Sequence, residues 1–439
     1  MGTPSFLGRI FGRESELDPG ARQALSVCRA LLSERGEASG AALAREALAA
    51  YRSLDAGGRA QFFDVLAKEF SPLPEAVGRA ADAYRDDPTS ANLLRLQEVI
   101  EPARQEFFRR LNMAPGGTAA LVQMRADLLQ GLDAHPDWRA IDADLLHLLR
   151  SWFNRGFLRL ERIDWHTSAM VLEKLIHYEA VHAIQGWDDL RRRLQADRRC
   201  FAFFHPQLPD EPLIFIEVAL SREMSSTVQP LLELGSAVNP PADAKYAMFY
   251  SISNCQQGLR GISFGNFLIK QVAEELRREL PRLRRFATLS PIPGFRDWLD
   301  GARTLLAVGP QGEERLALLS RLERPGWQVS AEAPALRRLL LPLCAYYLRH
   351  AKRGEEPRDP VSRFHLGNGA SLERLNWLGD TAERGLWQSA GMMVNYAYRL
   401  GRIERNHELF AKEHRVVASR EIERLADDCP LTAVTPVHA

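Results

Sequence analysis

The hydrophobic pattern of the chain changes near residue 155. From about Pro19 to Arg155, apolar residues recur at intervals of three and four, as in ARQALSVCRALLSERG and DADLLHLLRSWFNRGF, and Gly, Pro, Asp or Ser stand at the breaks. This period places the apolar residues on one face of a helix. We therefore predict an all-helical domain, a bundle of amphipathic helices, over residues 1–155.

After about Gly156 the chain contains short runs rich in β-branched and aromatic residues. Helices are predicted at about Ser168–His182 and Trp187–Ala196, before RRCFAFFHPQL and EPLIFIEVAL, which flank the turn LPDEP and predict a hairpin of buried strands. AKYAMFYSISN predicts a further strand, followed by a glycine-containing turn, the helix FLIKQVAEELRRELP and the strand FATLSPI. These elements indicate an α+β domain over residues 156–439.

The last part of the chain returns mainly to helical patterns. Residues 300–352 predict helices, among them ALRRLLLPLCAYYLRHAKR. A last amphipathic helix is predicted at about Glu383–Leu400, ending in NYAYRLG, and an edge strand at Ile403–Phe410. If NYAYRLG is helical, Tyr396 and Tyr398 cannot both face the core, so one of them is a candidate for a pocket and packing is the alternative.

A glycine-containing turn, RGISFGN, lies between an apolar strand and an amphipathic helix at Arg260–Asn266. The turn matches neither the Walker pattern nor GxGxxG, which disfavours a nucleoside triphosphatase and a dinucleotide-binding fold. Free backbone N–H groups at the start of a helix suit a phosphate group. The turn is therefore a candidate phosphate site, and an ordinary strand-to-helix turn is the alternative.

Two further side chains are candidates for chemistry. Ser290 lies in TLSPIPGF, where Pro291 and Pro293 fix the backbone path. The residues around Ser290 lack the G-x-S-x-G elbow of α/β-hydrolases, which disfavours an acyl-enzyme nucleophile there, and a serine that caps a turn is the alternative. His365 lies in RFHLGNGA and is predicted at the start of a loop. A histidine satisfied by packing is the alternative there and at His205.

Composition limits the partners and the cellular compartment that are expected for the protein. The 57 basic and 56 acidic residues give a net charge of +1, so no general field attracts a nucleic acid. The five cysteines form no CxxC pair and their number is odd, which favours a reducing cytoplasm. No apolar run approaches the roughly 18 residues of a membrane helix. The acidic residues in MGTPSFLGRIFGRESELD favour a frayed terminus over a mitochondrial presequence.

Several long strings resemble malonyl-CoA decarboxylases and occur in the same order. They are NRGFLRLERIDW, YEAVHAIQGWDDLRRRL, FYSISNCQQGLRGISFGNFLIKQV, LSPIPGF, FHLGNGA and MMVNYAYRL. The resemblance covers about Gly156–Leu400 strongly, and the helical region by general character only. It implies a catalytic domain with the GNAT acyltransferase-like fold and a mixed central sheet, after a helical domain used in oligomerisation, as a homotetramer or dimer. It also implies that no metal or organic cofactor is used.

The resemblance also implies roles for individual residues. Ser290 and His365 would be the catalytic pair, and Tyr398 would line the same site. The turn would bind the pyrophosphate of coenzyme A. Its residues are Arg260, Gly261, Ile262, Ser263, Phe264, Gly265 and Asn266. Some members of the family carry an acid where this chain has Ser263, so the role of that position is open.

The implied reaction converts malonyl-CoA to acetyl-CoA and CO2, in malonate and fatty-acid metabolism. Loss of CO2 leaves a thioester enolate that must be stabilised and then protonated, which suits a Ser/His pair in a largely apolar pocket. A GNAT-type acyl-CoA transferase is a second hypothesis, since folds of this type usually move acyl groups to amines. A scaffold that binds acyl-CoA without catalysis is a third. No nucleic-acid or membrane partner is expected.

Overall fold

The computed structural model describes residues 17–34, 36–262, 264, 268–309 and 311–432. These residues form two compact units. The first comprises the chain up to Leu158 with His205–Glu211 and Gln256–Phe264, and the second comprises Arg159–Phe204, Pro212–Cys255 and the chain from residue 265 onward. Part of the glycine turn thus belongs, by its contacts, to the same unit as the N-terminal helices. A mitochondrial presequence was the alternative interpretation of the N-terminal segment. Residues 1–16 of that segment lie outside the described residues.

The first unit is helical over the region predicted to be so, which confirms that prediction. Its helices are α1 (Pro19–Ser33), α2 (Glu37–Ser53), α3 (Ala56–Glu69), α4 (Pro74–Asp86), α5 (Ser90–Ile100), α6 (Ala103–Asn112), α7 (Gly117–Gly131) and α8 (Arg139–Trp152). Short 3-10 turns lie at Pro136–Trp138, Arg155–Phe157 and Gln257–Leu259.

Capping residues and buried aromatic rings explain why these helices form. Asp18 precedes α1 and accepts a hydrogen bond from Gly20 N–H at 2.8 Å, while Pro19 occupies the first helical position. Inside the unit, the rings of Tyr51 and Phe62 pack with centroids 5.2 Å apart. Rings of this size bury much apolar surface, and their tilted contacts add to that stabilisation.

The second unit contains the sheet and the remaining helices. Its strands are β1 (Arg159–Ile163), β2 (Arg198–Phe204), β3 (Ile214–Ser221), β4 (Tyr246–Asn254), β5 (Arg285–Thr288), β6 (Ser290–Pro291), β7 (Lys352–Arg353), β8 (Glu356–Pro357), β9 (Ser371–Asn376) and β10 (Met393–Ala397). Its helices are α9 (Ala169–Tyr178), α10 (Trp187–Arg193), α11 (Gln229–Leu232), α12 (Leu268–Glu279), α13 (Phe295–Leu306), α14 (Gly312–Leu319), α15 (Ala333–His350), α16 (Pro360–Gly367), α17 (Glu383–Ser389), α18 (Ile403–Glu413) and α19 (Arg420–Asp427), with 3-10 turns at Pro241–Asp243, Ser320–Glu323 and Trp327–Val329.

The main sheet is mixed, with the strand order β1-β2-β3-β4-β5-β10-β6, and β9 also pairs with β10. Its pairs are antiparallel except for β4 and β5, whose parallel pairing runs from Tyr246 opposite Arg285 to Phe249 opposite Thr288. A parallel pair requires a crossover, and α12 lies in that connection. The predicted β2–β3 hairpin is present. The mixed sheet after a helical region confirms the predicted α+β class.

Two predicted elements near the C-terminus are wrong. The helix predicted over Glu383–Leu400 ends at Ser389, where Ala390 and Gly391 adopt φ values of 52° and 72° that stop it, and the chain continues as β10. All residues of β10 are buried, and a continuous apolar run does not distinguish a central strand from a buried helix. The edge strand predicted over Ile403–Phe410 is helix α18.

The physical reason for α18 is visible in its spacing. Ile403, Asn406 and Phe410 are its buried residues, at intervals of three and four, so one face of a helix packs against the domain.

All five cysteines are buried and free of disulfide bonds. Among the described helices, none is long and apolar enough to cross a membrane.

Candidate active site

Ser290 lies immediately beyond the parallel pair of strands at the centre of the sheet. The register of β4 with β5 ends at Phe249 and Thr288, and Leu289 N–H still donates to Phe249 O at 2.8 Å. Ser290 then pairs with Val394 of β10. This pairing fixes the serine backbone on both sides, and the side chain is 5% exposed. A serine held in this way has a defined direction, which a surface turn would not give it.

The sequence predicted His365 at the start of a loop, and this prediction is wrong. The residue lies in the last turn of α16. Asp359 caps this helix by accepting a hydrogen bond from Ser362 N–H at 2.8 Å, and Pro360 occupies the first position. The imidazole is 3% exposed and stacks on the ring of Tyr396 with centroids 4.5 Å apart. Capping and stacking therefore fix both the helix and the ring.

The structure brings Ser290, His365 and Tyr398 into direct contact. Ser290 Oγ lies 3.1 Å from His365 Nε2, and the Tyr398 hydroxyl lies 2.8 Å from His365 Nδ1. Tyr398 is 2% exposed. The three residues are separated by at least 33 positions in sequence, yet β6, α16 and the end of β10 place them in one hydrogen-bonded row.

Burial controls the charge of this row. Removing the imidazole from water lowers the pKa of His365 from 6.5 to about 3, because its charged form loses hydration. Burial likewise raises the pKa of Tyr398 well above 10. At neutral pH both groups are uncharged, so His365 can donate one ring hydrogen and accept one hydrogen bond.

A cavity of about 230 Å³ lies beside the serine and histidine. It is lined by Val181, Phe249, Tyr250, Ser251, Ile252, Asn254, Ser290, Pro291, Pro360, Val361, Phe364 and His365. Among these described lining residues there is no Lys, Arg, Asp or Glu. The lining comes from β4, β6 and α16, together with Val181. An acyl group that entered here would meet a mainly apolar wall with a few uncharged polar groups.

Two residues of this cluster were not identified from the sequence. The Thr288 hydroxyl lies 2.8 Å from Ser290 Oγ, and the Asn395 side chain donates to Thr288 O at 2.6 Å. Thr288 stands two residues before Ser290 on a strand, so the alternation of side chains could have placed the two on the same face. Asn395 offers no such signal, since its contact depends on how β10 pairs.

The glycine turn is described in part. Ser263, Gly265 and Asn266 lie outside the described residues. Gly261 has a φ of 80°, a left-handed conformation that favours glycine. A Cβ atom at Gly258, just before the turn, would stand 1.8 Å from Val122 O, so only glycine fits this close approach to α7. Backbone geometry therefore explains Gly261 in the turn and Gly258 just before it.

A buried arginine of α7 anchors this turn. Arg125 Nη1 donates to Gly258 O at 2.7 Å and to Arg260 O at 2.8 Å, while its Nε donates to Asp142 at 2.8 Å. The side chain is 2% exposed. The guanidinium of Arg125 donates hydrogen bonds to these two carbonyl groups and so fixes the backbone path at the turn. The side chain of Arg260 remains exposed. No local sequence pattern indicates this contact, because the two residues are 133 positions apart.

Comparison with known protein families identifies the family of the chain. The family model for the malonyl-CoA decarboxylase C-terminal domain matches residues 156–434, and the model for the malonyl-CoA decarboxylase N-terminal domain matches residues 70–153. The chain belongs to the malonyl-CoA decarboxylase family. The resemblance read from the sequence is thereby confirmed, and the protein is an enzyme of the carboxy-lyase class that decarboxylates malonyl-CoA.

Individual malonyl-CoA decarboxylases match over most of the chain. The mitochondrial enzyme of Anser anser anser is 36% identical over 406 residues, which are 85% of this chain and 81% of that protein. The mitochondrial enzyme of Rattus norvegicus is 37% identical over 360 residues, or 75% of this chain and 72% of that protein.

Solved malonyl-CoA decarboxylase structures have the same fold. The enzyme from Rhodopseudomonas palustris is 49% identical, with a TM-score of 0.88 over 92% of this chain and 99% of that one. The enzyme from Agrobacterium vitis is 50% identical, with a TM-score of 0.86 over the same shares.

Proposed function

We propose that Ser290 and His365 carry out the decarboxylation of malonyl-CoA at the 230 Å³ cavity. The observation that carries the proposal is the contact of 3.1 Å between Ser290 Oγ and His365 Nε2 beside a wall of uncharged residues. The reaction forms acetyl-CoA and CO2, consumes one proton and requires no acceptor molecule.

The uncharged wall favours the bond-breaking step. The malonyl carboxylate carries a localised charge, and the electron pair released with CO2 spreads over the α-carbon and the thioester oxygen. A cavity whose described lining contains no cation stabilises the localised carboxylate poorly and the dispersed enolate better. A lysine or arginine in the wall would have the opposite effect, since it would stabilise the substrate more than the transition state.

His365 is suited to stabilise the enolate as a neutral donor. Its pKa of about 3 keeps the ring uncharged at neutral pH, so it offers an N–H group without holding the carboxylate as an ion pair. Neutral histidines polarise carbonyl oxygens in this way in other enzymes. Ser290 orients the malonyl group or relays the proton that ends on the α-carbon. Tyr398 contributes to the same site through its hydrogen bond to the ring.

The glycine turn is proposed to bind the pyrophosphate of coenzyme A. The proposed contacts are backbone groups of Arg260, Gly261, Ile262, Ser263, Phe264, Gly265 and Asn266. Anchoring by Arg125 supports the assignment, because a fixed backbone can present its N–H groups to an anion without reorganising. The exposed Arg260 side chain adds a positive charge for the phosphates.

The physiological setting is part of the proposal. We expect a cytoplasmic homotetramer or dimer, assembled through the helical region, that acts in malonate and fatty-acid metabolism without a cofactor. The exposed apolar side chains on α4 and α5 or next to them, namely Leu73, Leu93, Leu94 and Ile100, are consistent with subunit contacts. Light scattering at micromolar concentration measures the state directly, and a monomer would refute the assembly.

The deciding experiment incubates the protein with malonyl-CoA alone. We expect acetyl-CoA and CO2 from the wild type, and a kcat at least about 100-fold lower from Ser290→Ala, as for loss of a group that acts in proton transfer. An acyl transferase would need an added amine, and a scaffold would bind malonyl-CoA without consuming it. Unchanged turnover by Ser290→Ala would exclude the proposed role of the serine.

A further inference from the structure

Thr288 is a fully buried polar residue that contacts the proposed catalytic serine. It is the last residue of β5 and shares a face of the sheet with Ser290 two positions later. Its Oγ1 atom lies 2.8 Å from Ser290 Oγ and accepts a hydrogen bond from Tyr396 N–H at 3.1 Å. The exposed fraction of Thr288 is 0%, so protein groups satisfy its hydroxyl.

The groups around Thr288 set the direction of the hydrogen bonds. A backbone N–H can only donate, so Tyr396 occupies one lone pair of Thr288 Oγ1. The Ser290 hydroxyl donates to the other. Because its hydrogen is used in this bond, Ser290 Oγ accepts from its other neighbour, His365 Nε2 at 3.1 Å.

This direction determines which histidine tautomer is present. A neutral imidazole carries one hydrogen, so a hydrogen on Nε2 leaves Nδ1 as an acceptor. Tyr398 O–H then donates to Nδ1 across 2.8 Å. Without the threonine hydroxyl, Ser290 would turn its hydrogen toward Nε2, and the ring hydrogen would move to Nδ1.

We propose that Thr288 is a positioning residue, which keeps the hydrogen of His365 on Nε2 by holding the Ser290 hydroxyl turned away from the ring. The inference rests on the proposed function of Ser290 and His365. Nε2 and Ser290 Oγ both belong to residues that line the cavity, so a hydrogen that Nε2 shares with the serine can be passed to a bound substrate. A hydrogen on Nδ1 is committed to the buried Tyr398 and unavailable.

The test compares Thr288→Val with Thr288→Ser in acceptor-free malonyl-CoA turnover. We expect Thr288→Val to lower kcat by about 30-fold with KM changed less than about twofold, a smaller loss than the roughly 10⁴-fold effect of a wrong tautomer in a Ser-His-Asp triad. Thr288→Ser restores the hydroxyl and should stay within about threefold of the wild type. The inference is overturned if Thr288→Val has wild-type kcat, or if Thr288→Ser is equally impaired.

A double-mutant cycle separates positioning from damage to the fold. In a Ser290→Ala background, Thr288→Val should lower kcat no further, because the residue through which it acts is gone. An equal loss in both backgrounds would overturn the inference. Thr118→Val is the matched control, since Thr118 is also buried and its hydroxyl lies 2.8 Å from Asn112 Oδ1 in the helical unit. It should leave kcat unchanged.

A direct measurement covers the case in which Thr288→Val does not fold. Solid-state NMR of the wild type with ¹⁵N-labelled histidine, with a His365→Gln sample to assign the signal, reads which ring nitrogen carries the hydrogen. Nε2–H is expected, and Nδ1–H would overturn the inference. If Ser290→Ala retains full activity, the proposed function and this inference fail together. If Ser290→Ala is inactive and Thr288→Val is normal, only this inference fails.

Discussion

The Ser290–His365 cluster consists of side chains, whereas the glycine turn presents backbone groups. The cluster is almost completely buried, with Thr288, Ser290, His365 and Tyr398 all no more than 5% exposed, and each contact depends on which side chain is present. In the turn, Arg260 and Gly261 are exposed, and the path of the chain is set by Gly258, Gly261 and a buried arginine. By its contacts, the turn up to Phe264 belongs to the first compact unit, whereas the cluster belongs to the second.

This difference separates two kinds of mutational effect. Removing a cluster side chain takes away a group that stabilises the transition state, so kcat should fall. Disturbing the turn weakens contacts made equally to substrate and transition state by the coenzyme A portion, so KM should rise while kcat is kept. Kinetic measurements on variants of each part can confirm or refute this division.

The largest effect is expected for His365→Ala. Loss of the N–H group that faces the enolate should lower kcat at least about 100-fold, because one oxyanion donor contributes about 10²–10³ in kcat. KM should change less than about threefold. His205→Gln is the control, since His205 is also buried, at 6% exposure, but contacts Trp152 O and the Phe153 ring away from the cluster. Near-wild-type turnover by His365→Ala would refute the proposed role.

The next effect follows from the charge state of His365. Its pKa is about 3 in the folded protein and close to 6.5 in the unfolded chain, so only the unfolded chain takes up this proton between those values. Stability is therefore lost as pH falls below 6.5. Relative to His365→Gln, the wild type should lose about 2 kcal/mol of unfolding free energy between pH 7 and pH 5.

Urea denaturation of both proteins at each pH measures that difference. The same charge state predicts that kcat shows no inflection near pH 6.5 from this residue, since the ring is neutral on both sides of that value. Parallel stability curves for the wild type and His365→Gln, or a kcat that falls with an apparent pKa near 6.5 attributable to His365, would show that the buried ring titrates normally.

The sequence predicted the parts of the fold in which hydrophobic period and chain length agree. Helices of the first unit show the helical period over long segments. Strands β2 and β3 are buried along almost their whole length, but the turn LPDEP between the two short runs identifies them as a hairpin. At β10 the run Met393–Ala397 is buried on both faces in the middle of the sheet, so the period that distinguishes strand from helix is absent. Local pattern cannot resolve such a segment, since its partners β5 and β9 come from elsewhere in the chain.

The residues of the site likewise divide into those that the sequence identified and those that only the folded chain reveals. Ser290, His365 and Tyr398 were identified because they lie within long strings that resemble a known family, and the structure places their side chains in contact. The partners that hold them were missed. Asn395 binds Thr288 across 107 residues, and Arg125 binds Gly258 across 133, so only the folded chain brings these pairs together. A strand face could have suggested Thr288, whereas nothing local points to Arg125.

The smallest effect is expected for a substitution of Arg125, which holds the backbone at the glycine turn. Arg125→Lys keeps the positive charge but cannot donate to Asp142 and to two carbonyl groups in the same geometry. We expect KM for malonyl-CoA to rise about tenfold, the equivalent of about 1.4 kcal/mol, with kcat within about twofold of the wild type. Steady-state kinetics with malonyl-CoA measures both.

Arg104→Lys is the matched control for this last effect. Arg104 is likewise buried, at 4% exposure, and pairs with Asp144 at 2.5 Å in the same unit, but its Nη1 donates to the Ser71 hydroxyl and not to the turn. Both lysine variants should lower Tm through a weakened buried ion pair. Only Arg125→Lys should raise KM. Equal KM values in the two variants would mean that the position of the turn does not govern substrate binding, and the proposed separation of backbone and side-chain roles would fail.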